Sequence, residues 1–492
     1  MIHLYDFEGQ HIVLDTCSGG IHVLDGVSFS VLRALVPYEE AITAGADRVQ
    51  LAEIAANNAD LDGYEPEQIQ TALDEIYALI REGTLFSKDV YAEIALDLRE
   101  RQSDVKALCL NVAHTCNLDC EYCFASQGKY HGERALMSTE VAKRAIDFLI
   151  AHSGTHRNLD IDFFGGEPLL NWEVVKETVR YARSIEKAYG KNFRFTLTTN
   201  GILLDEEIGA FLNQHMHNVV LSLDGRKEVH DRLRHSIDGR GSYDRIVPRF
   251  QRFVQSRGEQ EYYIRGTFTK NNLDFTEDVL HMANLGFYRL SMEPVIGDPA
   301  EPYMLGPADR QVLEAQYERL AREMIRRDAK AEEWVAAGRP LEEMPPEDHP
   351  FLFYHFMLDL EAGPCIYKRI AGCGSGTEYL AVTPWGDLYP CHQFVGDAPY
   401  ALGNVFEGIQ RTDLVRSFQQ CNCYSHSECQ SCWARLYCSG GCAANALHAT
   451  GQLTGTVPFS CDLFRKRIEC AIGIKVAALL REAQRQAQKE AH

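Results

Sequence analysis

The distribution of cysteine constrains this chain more than any other feature. Of sixteen cysteines in 492 residues, three crowd together at Cys116, Cys120 and Cys123, and a second field runs from Cys365 to Cys461. In a small secreted chain such density would mean disulfides. The N-terminal MIHLYDFEGQ, however, carries acid early and has no basic region before an apolar run, so no secretory signal is read. In a large cytoplasmic chain, clustered cysteines bind metal or carry redox chemistry. Hydrophobic residues make up 45% and charged residues 24%, which suits two or three packed soluble domains. No apolar stretch is long enough for a bilayer, so no membrane partner is expected and the cytoplasm is the expected location. A net charge of −21 speaks against nucleic acid, whose phosphates need a basic stripe, and suits a peptide partner.

Residues 1–88 read as a small independent unit. Strand-like runs His11–Asp15 and Ile21–Asp25 flank Gly19-Gly20, a hairpin signal. Helices are predicted near Ser28–Leu35, Val49–Ala56 and Pro66–Arg81; in the last, Ile69, Leu73, Ile76 and Ile80 line one face. A hairpin with three helices suggests a winged-helix-like module that binds DNA or adds a peptide strand to its edge, and the acidic balance disfavours DNA. After a linker over 89–106, strand and helix alternate through 107–296. The predicted strands are Ala107–Thr115, Leu159–Gly165, Phe193–Asn200, Asn218–Asp224, Tyr262–Thr269 and Tyr288–Glu293. Six βα repeats imply an α/β fold with a parallel sheet, open or curled into a partial barrel, with function gathered at the C-terminal strand ends. A charged helical bridge is predicted over 297–361. From 362 to 492 the cysteines dominate, as in a small domain held by metal, before a C-terminal helical pattern.

The first cluster, Cys116-Asn-Leu-Asp-Cys120-Glu-Tyr122-Cys123, follows the first predicted strand. Its C-x3-C-x2-C spacing offers three thiolates in a tight loop, enough for three irons of a [4Fe–4S] cluster and leaving the fourth open to a small molecule. A zinc knuckle, the alternative, normally takes four ligands in pairs. The run resembles the signature of the radical S-adenosylmethionine (SAM) superfamily. That resemblance implies a cluster-bound SAM, cleaved reductively to a 5′-deoxyadenosyl radical, so that the cofactor does the hard step. It also assigns SAM-binding roles at successive strand ends. Gly165, Gly166 and Glu167 face the SAM ammonium, Tyr122 lies beside the adenine, and Arg234 pairs with the carboxylate, with Asn200, Ser222 and Asp224 completing the set.

Downstream, Cys373, Gly386 and Cys391 are followed by Cys429-x2-Cys432-x5-Cys438-x3-Cys442 and then Cys461. This spacing resembles the SPASM extension of radical SAM enzymes, which implies two auxiliary [4Fe–4S] clusters and three in all. Carried over, Cys429, Cys432, Cys438 and Cys461 hold the outer cluster. Cys373, Cys391 and Cys442 hold the inner one, with Cys365 its candidate fourth ligand. Cys17, Cys109 and Cys470 read as interior hydrophobes, and Cys421 and Cys423 as loop thiols.

The combination resembles maturases of ribosomally made peptides, whose N-terminal element captures a leader by β-augmentation. Here the edge is expected at Ile21–Asp25 or the helix beside it. The strings IVLDTCSGGIHVLD, CNLDCEYCFASQGKYHGERALMS, Arg265-Gly-Thr-Phe-Thr269 and Gly363-Pro-Cys-Ile resemble the thioether-forming maturases of SCIFF peptides (ranthipeptides). This implies a cysteine-rich precursor peptide, an external electron donor and Cys thioether cross-links to Thr. Two alternatives are carried: sulfatase-maturase-type oxidation of a Cys or Ser side chain, and a non-catalytic zinc-bound peptide-binding protein.

Overall fold

Alternating burial along four of six consecutive segments builds the centre of this computed structural model. The structure describes residues 1–100, 104–360 and 365–490, so Gly363 and Pro364 of the last string above lie outside the described residues. The N-terminal unit opens with three antiparallel strands, β1 (Ile2–Phe7), β2 (Gln10–Asp15) and β3 (Ile21–Leu24), in that order across the sheet. The sequence reading missed β1, whose apolar residues are interrupted by His3, Tyr5 and Asp6. Helices Gly26–Leu35, Arg48–Ala56 and Pro66–Glu82 close over the sheet around a core of their own that includes Val13, Phe29, Leu32, Leu51, Leu73 and Ile76. Asp25 caps the first helix through the Ser28 amide, and Asp47 with Gln50 forms a capping box on the second.

The central sheet runs β4 (Ala107–Ala113), β5 (Asn158–Gly165), β6 (Asn192–Thr199), β7 (Asn218–Ser222), β8 (Tyr262–Phe268) and β9 (Arg289–Pro294), all parallel and neighbouring in chain order. Along β5, Leu159, Ile161 and Phe163 are buried against the helices, while Asp160, Asp162 and Phe164 point to the inner face; β6 repeats this with Phe193, Phe195 and Leu197. Period-2 alternation thus separates an apolar outer face from a polar inner one. The sheet is open, and its two ends hold what the sequence did not show. β10 (Leu352–Phe353) adds parallel to β9, so the stretch 297–361 is more than a helical bridge; its main helix is Arg310–Ala336. At the other end β11 (Tyr379–Val382) pairs parallel with β4, and β12 (Asp387–Tyr389), β13 (Gly403–Asn404) and β14 (Gly408–Ile409) continue antiparallel. The cysteine-rich region therefore shares the barrel sheet and is not held by metal alone: Leu380, Ala381 and Val382 are fully buried there.

The segment 89–106, expected as a linker, carries helix Tyr91–Glu100. Its Ala95 packs with Ile370, Cys423 and Leu436, so it is part of the cysteine-rich region's core. The 33-residue helix Pro458–Glu490 lies on Arg310–Ala336 and carries β1: Glu469 accepts from His3 at 3.0 Å, its carbonyl accepts from the Tyr5 hydroxyl at 3.2 Å, and Gly473 leaves room for the Phe7 ring. β1 is thereby covered, and β3, with Val23 40% exposed, is the free edge. Among the described residues no helix is long and apolar enough to cross a membrane.

One buried cation locks the sheet's lower rim. Arg257 is 2% exposed and donates to the carbonyls of Glu261 (2.7 Å), Leu212 (3.3 Å), Met216 (3.1 Å) and His217 (3.1 Å). Burial lowers its pKa to about 10, still charged at neutral pH. Arg257→Met would take this donor from the Glu261, Met216 and His217 carbonyls, while Leu212 O keeps the Met216 amide, and a loss of about 3 kcal/mol is expected. A thermal unfolding midpoint within a degree or so of the parent would show that the carbonyls find other donors.

Candidate functional site

The mouth of the sheet is shaped by a glycine pair. Gly165 has φ +133°, and a Cβ on it would strike the Ala113 carbonyl; one on Gly166 would strike the Thr115 carbonyl. On this side the glycines admit the backbone entering the first cysteine loop, with Gly166 N donating to Ala113 O at 2.7 Å and Glu167 N to Thr115 O at 3.0 Å. The loop's far side is pinned by Asp119 N to His235 O (2.8 Å) and Glu121 N to Leu233 O (3.0 Å). Cys116, Cys120 and Cys123, all half-buried, are thus presented at the C-terminal end of β4.

Burial, with Glu167 and Cys123 adding to it, pushes Cys116 up to about 12. Cys120 is likewise pushed up to about 12, by burial and its two neighbouring thiols, against the pull of Arg234. Thiols crowded in this way, two of them resisting ionisation, suit a cationic group, which replaces their protons and relieves their repulsion. Two N–H donors point at Cys116 Sγ, from Leu118 N (3.4 Å) and Asn200 Nδ2 (3.6 Å), the kind of contact that steadies a cluster thiolate. The residues present therefore fit a [4Fe–4S] group. Among the described residues, no three His, Cys, Asp or Glu side chains converge on a single-ion site.

The other expected residues surround this loop, with partners the sequence could not name. Glu167 is 1% exposed and clamps β5 to β6, accepting from Thr199 Oγ1 (2.8 Å), Asn200 N (2.8 Å) and Leu169 N (3.1 Å). Asn200 ties β6 to the loop through Asn117 Oδ1 at 2.7 Å. Arg234, expected on the SAM carboxylate, donates through Nε to Asp224 Oδ2 at 2.9 Å. The same oxygen accepts from the Tyr122 hydroxyl at 2.6 Å, and the Arg234 guanidinium lies 5.4 Å from the Tyr122 ring centroid. Asp224 Oδ1 takes the Thr267 amide at 2.9 Å. A charged residue at a dry strand end needs a countercharge, and here the chain supplies it. Ser222 ends β7 opposite Arg265 of β8.

The second field divides into two groups. Cys391, raised to about 12 by burial and then by Cys442 and Cys373, marks the inner one; Gln393 Nε2 stands 3.7 Å from Cys442 Sγ. Cys438, raised to about 12 by burial and then by Cys461, Cys429 and Cys432, marks the outer one; Arg465 stands 3.9 Å from Cys432 Sγ. Cys365 is exposed and lines a cleft with Cys373. Between the first loop and the inner group lies a small core in which Tyr130, 3% exposed, packs with Cys123, Cys391 and Phe394. No spacing rule pointed to Tyr130. Equally unforeseen is a charged patch at the ends of β8 and β9. Glu293 meets His355 at 2.9 Å, Arg467 at 3.7 Å and Arg265 at 3.9 Å. Burial opposes its ionisation, yet His355, Arg265 and Arg467 hold it down at about 2.

Fold and loop together define the class. Residues 110–268 match the model of the radical SAM superfamily, and residues 373–433 match SPASM, an iron–sulfur cluster-binding domain. The chain thus has a radical SAM fold with a C-terminal SPASM domain, and with them sites for iron–sulfur clusters and SAM. Among curated relatives it is similar to the cysteine-type anaerobic sulfatase-maturating enzyme of Clostridium novyi, 25% identical over 67% of this chain and 85% of that one. It is also similar to the radical SAM cyclopropyl synthase TigE of Paramaledivibacter caminithermalis, 21% identical over 74% of each. Of solved structures, native anSMEcpe with bound AdoMet superposes with TM-score 0.59 at 21% identity, covering 76% of this chain and 99% of that one. Streptococcus suis SuiB bound to S-adenosylmethionine gives 0.50 at 17%, covering 92% and 97%.

Glu167 titrates with a sign that can be tested. Burial raises its pKa from 4.5 to about 7 despite its three donors. The folded chain then holds a proton that the unfolded chain has lost, so stability from this group is present below pH 4.5 and lost as pH rises through about 7. A decline of about 3 kcal/mol at most is expected across that window. Glu167→Gln should remove this part of the decline in unfolding scans; an identical pH profile in parent and variant would contradict it.

Proposed function

We propose that the chain is a cytoplasmic radical SAM enzyme that forms Cys thioether cross-links, Cys to Thr, in a ribosomally made, cysteine-rich precursor peptide. The observation that carries this reading is that the cysteine-rich region is joined to the strand carrying the first loop: β11, which opens that region's strands, is hydrogen-bonded to β4. Bound at Cys116, Cys120 and Cys123, a [4Fe–4S] cluster with SAM supplies a 5′-deoxyadenosyl radical when an external donor gives it an electron. The chain's residues supply aim. Asn200 and the Leu118 amide steady the Cys116 sulfur, Glu167 fixes the β5 and β6 ends, and Tyr122, Asp224 and Arg234 form one wall of the SAM site. The free edge β3 takes up the leader by main-chain pairing, leaving the core segment free to reach the mouth of the sheet. For each link the peptide would give up one hydrogen atom from carbon to the 5′-deoxyadenosyl radical, one proton from sulfur to solvent and one electron to an auxiliary cluster held by the second cysteine field.

Sulfatase-maturase-type oxidation is the second reading, favoured by the relatives whose names describe it. The N-terminal unit with its open strand edge weighs toward a leader-bearing substrate. The products separate the two, because a thioether leaves the Cys unreactive to alkylation whereas a formylglycine takes up hydrazine. Anaerobic reconstitution should give about twelve irons per chain, for three clusters. SAM with reductant should then yield 5′-deoxyadenosine, at least a hundredfold less with Cys116→Ala. Retained cleavage in that variant, or zinc in place of iron, would reject the assignment.

A further inference from the structure

Along β8, Tyr262, Ile264, Gly266 and Phe268 are buried, so Tyr263, Arg265 and Thr267 share the inner face of the sheet. The Thr267 amide is bonded to Asp224 in the wall of the expected SAM site, and Arg265 stands two residues below it, about 7 Å along the strand. Its neighbours across the sheet are Ser222 of β7 and Ser291 of β9, both short. A side chain on a central strand that is 55% exposed between two serines looks onto open space. Its ion-pair partner, Glu293, is 3.9 Å away and lies closer to His355 (2.9 Å) and Arg467 (3.7 Å). Burial keeps His355 below its ordinary pKa despite Glu293. One carboxylate then faces two guanidiniums, and the patch has a positive charge in excess inside a chain of net charge −21. Below Arg265 the chain leaving β10 crosses the face of β9, where His355 also meets Ser291 at 3.5 Å. Here His355 and Phe356 turn inward, while Tyr354 and Met357 stay about half exposed. Both reach Tyr263: its hydroxyl is 3.7 Å from Met357 Sδ, and its ring meets Tyr354 edge-on at 5.4 Å.

We propose that Arg265 binds a carboxylate of the precursor peptide on the inner face of the sheet, while Tyr263, Tyr354 and Met357 take the apolar groups beside that carboxylate. This rests on the peptide-modifying function proposed above and names a determinant of its substrate. A guanidinium matches a carboxylate with two parallel hydrogen bonds, and Glu293, held by His355 and Arg467, leaves that fork unused. The excess positive charge also repels a Lys or Arg of the peptide, so the same patch selects and rejects. Tyr and Met rings and chains offer contact area without demanding one shape of neighbour. Because Arg265 lies on the strand and face of Thr267, a carboxylate held there sets which residue of the peptide stands at the mouth. An Asp or Glu side chain and the peptide's own C-terminus carry the same chemistry.

The test uses the full chain, reconstituted anaerobically with SAM, and synthetic peptides containing Cys and Thr, followed by titration calorimetry. One probe is a peptide amide with a single internal Asp; the second has Asn in its place; the third is the Asn peptide with a free C-terminal carboxylate. The parent should bind the Asp amide or the free acid about tenfold or more tighter than the Asn amide, and which of the two gains identifies the source of the carboxylate. Arg265→Gln should abolish that preference. Arg265→Glu should reverse it, favouring a peptide amide with Lys in place of Asp, which loss of a merely structural contact would not do. Arg265→Lys, which keeps the charge and loses the fork, should keep a weaker preference in the original direction and covers the case of a Gln or Glu variant that does not fold. A parent that binds neither acidic peptide better than the Asn amide, or an Arg265→Gln protein with the preference intact, would overturn the proposal. Failure of the parent to give 5′-deoxyadenosine from SAM and reductant would instead remove the radical SAM reading on which it rests.

Discussion

Everything at the mouth of the sheet depends on how closely two backbones approach. Gly165 and Gly166 end β5 against the carbonyls of Ala113 and Thr115, and no residue with a Cβ fits either position. That contact sets the height and tilt of the loop carrying Cys116, Cys120 and Cys123. Glu167, the next residue, then reaches across to Thr199 and the Asn200 amide, and Asn200 reaches back to Cys116. The three thiols are thus referenced to β4, β5 and β6 at once. A loop fixed from three strands keeps its geometry when a cofactor binds, which is the condition for accurate delivery of a reactive species.

The same logic extends to the second field through β11. Tyr379–Val382 pairs with Ala107–Leu110 in parallel register, and β12, which leads into Cys391, turns back antiparallel on β11, one strand removed from the strand that leads into Cys116. Spacing between the first loop and the inner group is therefore set by backbone hydrogen bonds. The contents of that space are set by packing, since Tyr130 and Phe394 fill it. Its loop is an unusual one: Ser126, Gln127, Tyr130 and His131 all adopt left-handed backbone angles, wedged between Gly166 and Gly396. Such strain persists only where surrounding structure over-determines it.

Much of this was legible in the sequence where signals are local. The six central strands fall within a residue or two of their expected places, because four of them are continuous apolar-and-polar alternations and the other two, β4 and β9, are short buried runs. The cysteine loop was legible because thiols at fixed spacing have few uses. What escaped the reading is nonlocal. β11 finds its partner more than two hundred residues upstream, and four residues of Tyr-Leu-Ala-Val carry no mark of which strand they will join. The Arg234 pairing with Asp224 escaped for a related reason, since motif spacing names residues and not the partners that burial forces on them. Helix Tyr91–Glu100 was hidden by its charge; Tyr91, Ile94 and Ala95 are its described residues that pack on the core with Ile370 and Leu436.

The charged patch at the ends of β8 and β9 shows how the inner face tolerates ions. Glu293 is shared by Arg265, His355 and Arg467, which arrive from β8, from the turn after β10 and from the C-terminal helix, respectively. A single carboxylate in that position would be neutralised by burial; with three partners it stays charged and draws the helix and both strands together. The long helix Pro458–Glu490 therefore has two attachments of opposite kind. Its Glu469 holds β1 of the N-terminal unit, and its Arg467 holds the inner face of the sheet. Residues two apart on one helix join the unit with the free strand edge to the wall of the site, so a shift of that unit cannot occur without pulling on Glu293.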